Sequence, residues 1–168
     1  MKLVGFKAER RRRLGVVEGD TVIDLSAFDE SFPRDLAGWL ARDNGDLSKM
    51  ADAAKRAPAS ARIPLAGLRY TLPVAKPGKI ICLGLNYLDH VKEGSQRDNI
   101  PKFPTIFFRG LTSMVAHERP IIRPRVSETL DYEAELIAIG GKRAKHLTMD
   151  KSYSCLAGYS CGNEGSVR

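Results

Sequence analysis

The chain has 168 residues, of which 43% are hydrophobic and 28% are charged, and its net charge is +7. This length suits one well-buried domain, or a small domain joined to part of a larger one, and the composition is that of an ordinary globular protein. The apolar stretches are far shorter than the roughly 20 residues of a membrane helix, so we expect no membrane span. No signal-peptide pattern opens the chain, which favours a cytoplasmic location.

The positive charge is concentrated near the N-terminus. The first 13 residues hold six basic side chains and one acidic side chain, and they include the run Arg10–Arg13. This run lies at a predicted hairpin tip and lacks the interleaved aromatic residues of segments that bind nucleic acid. We therefore interpret it as a solvated turn and expect no nucleic-acid partner.

The first part of the chain predicts strands followed by helices. Short β-type runs separated by turn signals predict an antiparallel meander at residues 2–7, 14–18 and 21–25. Apolar residues at helical spacing then predict helices at 33–42 and 46–57, with Trp39 as a core anchor. The proline-rich stretch from residue 58 to residue 77 predicts a linker or an extended crossing strand.

The rest of the chain is dominated by β-type segments. We predict strands at residues 79–85, 105–108, 120–123 and 130–139. The fold class is therefore predicted as α+β with strands dominating. We divide the chain into a small N-terminal strand-and-helix domain at 1–70 and a second, β-rich domain at 71–168.

Acidic and apolar residues alternate in the last of these predicted strands. Because strand side chains alternate between faces, Asp131, Glu133 and Glu135 share one face. Three neighbouring anions repel one another unless a cation or a set of donors neutralises them, and carboxylate oxygens suit a hard divalent ion such as Mg²⁺. The alternative is a solvated polar face, and the spacing alone favours neither interpretation.

A second candidate lies on a short helix predicted within residues 84–93. There His90 and Glu93 stand three positions apart and share a helix face. A carboxylate beside an imidazole fixes its orientation, as in general bases. The alternative is an ordinary surface pair with no catalytic role.

A third candidate lies near the end of the chain, where Glu164 stands among small residues. Gly162 and Gly165 allow close approach of the backbone, so this carboxylate could project into a site. The alternative is an ordinary turn.

Four motifs connect these segments in one order. They are G-x-N-Y-x-x-H-x-x-E at 84–93, P-x-x-F at 104–107, D-Y-E-x-E at 131–135 and G-Y-x-x-x-N-E-x-S-x-R at 158–168. In this order the motifs resemble the fumarylacetoacetate hydrolase (FAH) family, from about residue 77 to the last residue. The preceding 70 or so residues resemble the smaller N-terminal domain of that family.

The resemblance implies an FAH-type mixed β-fold and a metal-dependent hydrolase that cleaves a carbon-carbon bond in a β-diketo acid, such as an acylpyruvate or a fumarylacetoacetate-like compound. One alternative is an isomerase or decarboxylase of 2-hydroxy-diene or keto dioic acids in aromatic catabolism. A second alternative is a noncatalytic fragment or interaction module. The implied partners are a small-molecule keto acid substrate and a second copy of the chain in a homodimer.

The resemblance also implies the residues of the site. The metal ligands would be Glu133, Glu135 and Glu164, with Mg²⁺ as the expected ion and Mn²⁺ or Ca²⁺ as alternatives. The catalytic base and its partner would be His90 and Glu93. Contacts to the substrate or to the ligands would come from Asn86, Tyr87, Asp131 and Arg168. The family more often has aspartate where this chain has Glu164, so this ligand must approach from slightly further away.

Family members continue past the position of Arg168. We therefore expect the C-terminal half of the FAH-like catalytic domain to be absent from this chain, with the fold incomplete and the activity impaired or lost. Strands without neighbours expose unpaired backbone groups and favour pairing with another chain.

Overall fold

The computed structural model describes residues 1–93 and 100–167, which belong to two compact units. One unit comprises residues 1–75 and resumes at residue 115, and the other is Lys76–Met114. Strands outnumber α-helices among the described residues of both units, which confirms the predicted α+β, β-dominated class. The domain boundary at residue 70 stays a prediction. Within the described residues, no helix combines the length and the apolar character needed to cross a membrane.

The N-terminal sheet contains five antiparallel strands. They are β1 (Lys2–Ala8), β2 (Arg11–Glu18), β3 (Thr21–Asp24), β4 (Arg62–Pro64) and β5 (Tyr70–Thr71), in the spatial order β4-β3-β2-β1-β5. The first three strands form the predicted meander. The proline-rich stretch was predicted as a linker or an extended crossing strand, and it contains the two short strands β4 and β5, which pair with β3 and β1 at the two sheet edges. Pro64 is tolerated there because an edge strand can lack one backbone donor.

Three helices follow β3 along the chain. They are α1 (Leu25–Phe28), α2 (Leu36–Arg42) and α3 (Ser48–Arg56). Helix α2 begins later than predicted because Asp35 caps it, with Oδ1 accepting from the Gly38 amide at 2.8 Å. Trp39 is fully buried and its Nε1 donates to the Pro33 carbonyl at 3.0 Å. The predicted role of Trp39 as a core anchor is confirmed.

The core of the first unit forms between the N-terminal sheet and these helices. Its buried side chains are Leu14, Val16, Ile23, Leu25, Leu36, Trp39, Leu40, Met50, Ala53 and Ala54. One arginine of the basic run is also buried, in contrast to the predicted solvated turn. Arg13 donates through Nη1 to Ser26 Oγ at 2.8 Å and lies 3.8 Å from Asp24 Oδ2. The guanidinium can be buried as a charged group because Ser26 accepts a hydrogen bond from it and the Asp24 carboxylate neutralises its charge.

The second unit contains β6 (Ile80–Gly84), α4 (Leu88–Glu93) and β7 (Thr105–Arg109). Strands β6 and β7 pair antiparallel, and α4 is the predicted short helix. A continuous apolar run such as that of β6 is typical of a buried strand, yet Ile81 and Leu83 are about half exposed.

The last part of the chain forms one interrupted hairpin. Its strands are β8 (Leu130–Asp131), β9 (Ala134–Gly140), β10 (Leu156–Asn163) and β11 (Ser166–Val167), and α5 (Met149–Ser152) lies between β9 and β10. Asn163 pairs with Ala134 and Ser166 pairs with Asp131. Two residues separate these pairs on each chain segment, namely 132–133 and 164–165. The register is therefore the same before and after the interruption. We call β8–β11 the carboxylate hairpin.

Two strand predictions for this region are corrected. The predicted strand 130–139 is broken at residues 132–133, which lie between the regular strands β8 and β9. The predicted strand at 120–123 is irregular, because Pro120 begins it and Pro124 follows it, and both lack the N–H group that a ladder requires. Strands β10 and β11 were not predicted, since their small residues carry little β-type pattern.

One end of the carboxylate hairpin is anchored on the N-terminal core. Ile139 of β9 and Ala157 of β10 pack against the buried cluster around Trp39. A strand rises about 3.3 Å per residue, so Glu133 lies about 20 Å along the strand from this anchor. Residue 133 is therefore at the far end of a hairpin that the core holds in place.

Candidate metal centre

Three glutamate side chains converge where the carboxylate hairpin is interrupted. Glu133 precedes β9, Glu135 is the second residue of β9, and Glu164 directly follows β10. Each offers one carboxylate oxygen, and these three atoms lie within 4.8 Å of one another. All three residues are half-buried. The structure thus brings together the three residues that were predicted as metal ligands.

The register of the hairpin accounts for this convergence. Glu164 stands opposite Glu133, since the pairs on either side keep the same register. Opposite residues of an antiparallel pair project from the same face, as do residues two apart on one strand. Glu135 therefore joins the other two. Its own cross-strand neighbour is Gly162, which adds no side chain to that face.

Glu133 is held by three hydrogen bonds from the opposite strand. Its N–H donates to Oδ1 of Asn163 at 3.0 Å, and its carbonyl accepts from the Glu164 amide at 2.8 Å. The Ser166 hydroxyl donates to Oε1 of the Glu133 carboxylate. In a regular ladder, a hydrogen-bonded pair exchanges two backbone bonds. Here the Asn163 side chain supplies one of them, so pairing is interrupted while the register continues.

This donor set fits a hard divalent cation. Carboxylate oxygens are preferred ligands of Mg²⁺, Mn²⁺ and Ca²⁺. Two ligand atoms on opposite sides of such an ion lie about 4 to 5 Å apart, so three oxygens within 4.8 Å can share one ion. Glu164 reaches the cluster despite the methylene group that it adds relative to aspartate. A cation there would also offset the repulsion among the three anions.

The other predicted residues are distributed as follows. Asp131 lies in β8, and its Oδ1 accepts from the Tyr132 amide at 2.9 Å, but it is not one of the three converging ligands. Asn86 and Tyr87 are exposed just before α4, and His90 is half-buried within it. These three belong to the second compact unit. The side chain of Glu93 and the whole of Arg168 lie outside the described residues.

The prediction of site residues missed Asn163 and Ser166. Both stand in the motif N-E-x-S-x-R, so the signal was present in the sequence. Their spacing along the sequence does not predict which residue they contact, however, because that residue lies on the opposite strand. Only the hairpin register shows that both reach Glu133.

Related sequences match most of this chain. Residues 79–168 match the family model described as fumarylacetoacetate (FAA) hydrolase C-terminal. The chain is 35% identical to a fumarylacetoacetate hydrolase domain-containing protein 2 homolog of Dictyostelium discoideum, over 95% of this chain and 52% of that protein. It is 33% identical to a mitochondrial oxaloacetate tautomerase of Homo sapiens, over 100% of this chain and 54% of that protein. The chain spans about half the length of the curated relatives it matches.

A solved structure also matches. It is the maleylpyruvate hydrolase from Sphingobium sp. SYK-6 in complex with manganese(II) ion and pyruvate, with a TM-score of 0.75 and 28% sequence identity. The match covers 100% of this chain and 60% of that one. The related proteins thus include enzymes named as a hydrolase and as a tautomerase.

Proposed function

Because this chain belongs to the fumarylacetoacetate hydrolase family, we propose that it holds a divalent metal ion in an enzyme that acts on a 2-oxo acid. The observation that carries the proposal is the convergence of three carboxylate oxygens within 4.8 Å on one hairpin face. The substrate class is supported by the relatives, since oxaloacetate, maleylpyruvate and pyruvate are all 2-oxo acids. Mg²⁺ is the expected ion, and the related structure with manganese supports Mn²⁺ as a probe.

In this proposal Glu133, Glu135 and Glu164 hold the ion. When bound, a divalent cation would polarise the ketone oxygen of a 2-oxo acid and stabilise the negative charge that develops there. Asp131 and Arg168 are proposed to orient the ligand carboxylates rather than to bind the ion. Asn86 and Tyr87 offer an exposed amide and an exposed phenol that suit hydrogen bonds to a carboxylated substrate.

His90 is proposed as the catalytic base, with Glu93 orienting its imidazole. Helix α4 carries both residues, and the neighbouring Val91 is almost fully buried. A buried residue beside His90 limits the motion of the helix and therefore of the imidazole. The imidazole would take a proton from a carbon beside the ketone or from a water molecule.

Two reaction types use such a base. Removal of the carbon-bound proton and its return to the oxygen converts a ketone into its enol, which is a tautomerisation. Activation of water for attack on a second carbonyl breaks a carbon-carbon bond of a β-diketo acid, which is the hydrolysis predicted from the motifs. The oxaloacetate tautomerase matched along 100% of this chain favours the first type, and the maleylpyruvate hydrolase match supports the second.

The test combines metal titration with product analysis on the purified chain. We expect Mn²⁺ to bind, and a Glu133→Gln/Glu135→Gln variant to lose more affinity than the roughly 10- to 100-fold typical of outer-shell changes. Glu128→Gln is the matched control, because Glu128 is an exposed acid outside the cluster. Absence of Mn²⁺ binding by the parent chain would contradict the proposal.

The products then separate the reaction types. Incubation with oxaloacetate should interconvert keto and enol forms without loss of carbon atoms, whereas hydrolysis of an acylpyruvate should release pyruvate. Metal binding without turnover of either compound would support the noncatalytic alternative. Light scattering on the same preparation tests the proposed homodimer.

A further inference from the structure

Asn163 and Ser166 of the last motif contact Glu133, a proposed metal ligand, and the proposed function gives them no role. We propose that Asn163 and Ser166 are positioning residues that hold Glu133 in the orientation in which it receives the cation. This inference rests on the proposed metal site. It concerns how that site is assembled before the ion binds.

Asn163 fixes the backbone of Glu133. Its Oδ1 accepts the Glu133 N–H at 3.0 Å, and the carbonyl of the same residue accepts from the Glu164 amide at 2.8 Å. The N–H and the carbonyl of Glu133 therefore both form hydrogen bonds, and their partners are two adjacent residues of the facing chain segment. Since one of these bonds uses a side chain, a single substitution can remove it without changing the backbone.

Ser166 fixes the carboxylate of Glu133. A glutamate side chain has three rotatable torsions, and ordering it costs free energy. The Ser166 hydroxyl donates to Oε1 in a part-buried contact, and a hydrogen bond to an ionised acceptor is stronger than one between neutral groups. Holding the carboxylate in advance lowers the entropy cost of binding the ion.

These contacts also couple two ligands. Residues 163–166 supply the ligand Glu164 and both side chains that hold the ligand Glu133. The relative placement of two of the three carboxylates therefore depends on four consecutive residues. Outer-shell partners of this kind typically change metal affinity by about 10- to 100-fold.

The first experiment measures Mn²⁺ affinity by calorimetry. Ser166→Ala should weaken binding about 10-fold, and Ser166→Thr, which keeps the hydroxyl, should recover most of the affinity. Ser160→Ala is the matched control, because Ser160 lies in β10, on the same face of the hairpin as Ser166, but bonds to the Cys161 carbonyl. Unchanged thermal unfolding of Ser166→Ala would show that the loss is local. Equal affinities of Ser166→Ala and Ser160→Ala would overturn the role of Ser166.

The second experiment uses NMR on chelator-treated protein, so it does not depend on metal binding. Exchange of the Glu133 amide should be slow in the parent and at least about 10-fold faster in Asn163→Ala, since its acceptor is lost. Asn163→Asp keeps an acceptor oxygen and should restore protection, and the Glu164 amide serves as the internal reference. In Ser166→Ala, the carboxyl carbon of Glu133 should shift.

These results separate the two proposals. Unchanged exchange of the Glu133 amide in Asn163→Ala, or an unchanged carboxyl shift in Ser166→Ala, would overturn the positioning role. If the two variants show the expected NMR changes but the parent chain binds no Mn²⁺, the positioning of Glu133 is supported and the proposed function is contradicted.

Discussion

The N-terminal core and the carboxylate hairpin differ in how deeply their large apolar side chains are buried. Among the described residues, every buried apolar side chain except Val91 belongs to the first 61 residues. The hairpin instead exposes large side chains such as Tyr132, Leu136 and Tyr159, and its half-buried residues include the three glutamates. Burial of apolar area stabilises the fold, whereas the placement of Glu133 depends on a few hydrogen bonds. Stability and chemistry should therefore respond to different substitutions.

The largest expected effect is on stability. Trp39→Ala removes a fully buried indole from the core and should lower the free energy of unfolding by about 3–5 kcal/mol. Urea denaturation measures this loss. Tyr159→Ala is the control, because Tyr159 is exposed on the hairpin and its truncation should cost less than about 1 kcal/mol. Comparable losses in the two variants would show that the core is not confined to the N-terminal region.

The next effect separates metal binding from stability. Glu133→Gln removes one of three neighbouring anions, so it should weaken Mn²⁺ binding while leaving the metal-free protein as stable as the parent or up to about 1 kcal/mol more stable. Calorimetric titration and urea denaturation in a chelator measure the two quantities. A destabilised metal-free Glu133→Gln protein would mean that the carboxylate supports the fold rather than the ion.

Local patterns predicted the elements that depend on residues close in sequence. The meander β1–β3 and helices α2 to α4 form where turn signals and helical spacing indicated them. The stretch that contains β4 was left open between a linker and an extended strand because β4 pairs with a strand much earlier in the chain, and β10 was missed because its pattern is weak. Pairing between distant segments depends on tertiary contacts that local patterns do not report.

The same limit applies to the site. Alternation alone placed Glu133 and Glu135 on one face, since both lie on one chain segment. Glu164 joined them only through the family resemblance, because cross-strand register is not visible in sequence spacing. The roles of His90, Glu93, Asn86, Tyr87 and Arg168 stay predictions.

A smaller effect is expected at the tip of the first hairpin. Glu9 and Arg10 form a two-residue turn between β1 and β2 with φ values of +47° and +64°. Glycine adopts positive φ without steric cost, so Arg10→Gly should raise the free energy of unfolding by about 0.5–1 kcal/mol. Arg12→Gly is the control, since glycine inside β2 should destabilise by a similar amount. Equal signs for the two changes would contradict this explanation.

The smallest effect depends on pH. The Ser48 backbone N–H, followed by the Ser48 hydroxyl, holds the pKa of Asp46 below its usual value. A carboxyl whose pKa is lowered by folding stabilises the protein above its unfolded-state pKa, and this contribution is lost as the pH falls through the lowered pKa. Asp46→Ala should therefore lower the melting temperature slightly at neutral pH and not in acid. A difference that is constant with pH would exclude ionisation as its cause.

Crystals grown with Mn²⁺ give the most direct test of the metal centre. An anomalous-difference map should show one manganese peak coordinated by Glu133, Glu135 and Glu164, and the peak should be lost in Glu133→Gln/Glu135→Gln crystals. A peak bound elsewhere, or no peak between these carboxylates at saturating Mn²⁺, would contradict the assignment of this hairpin as the metal site.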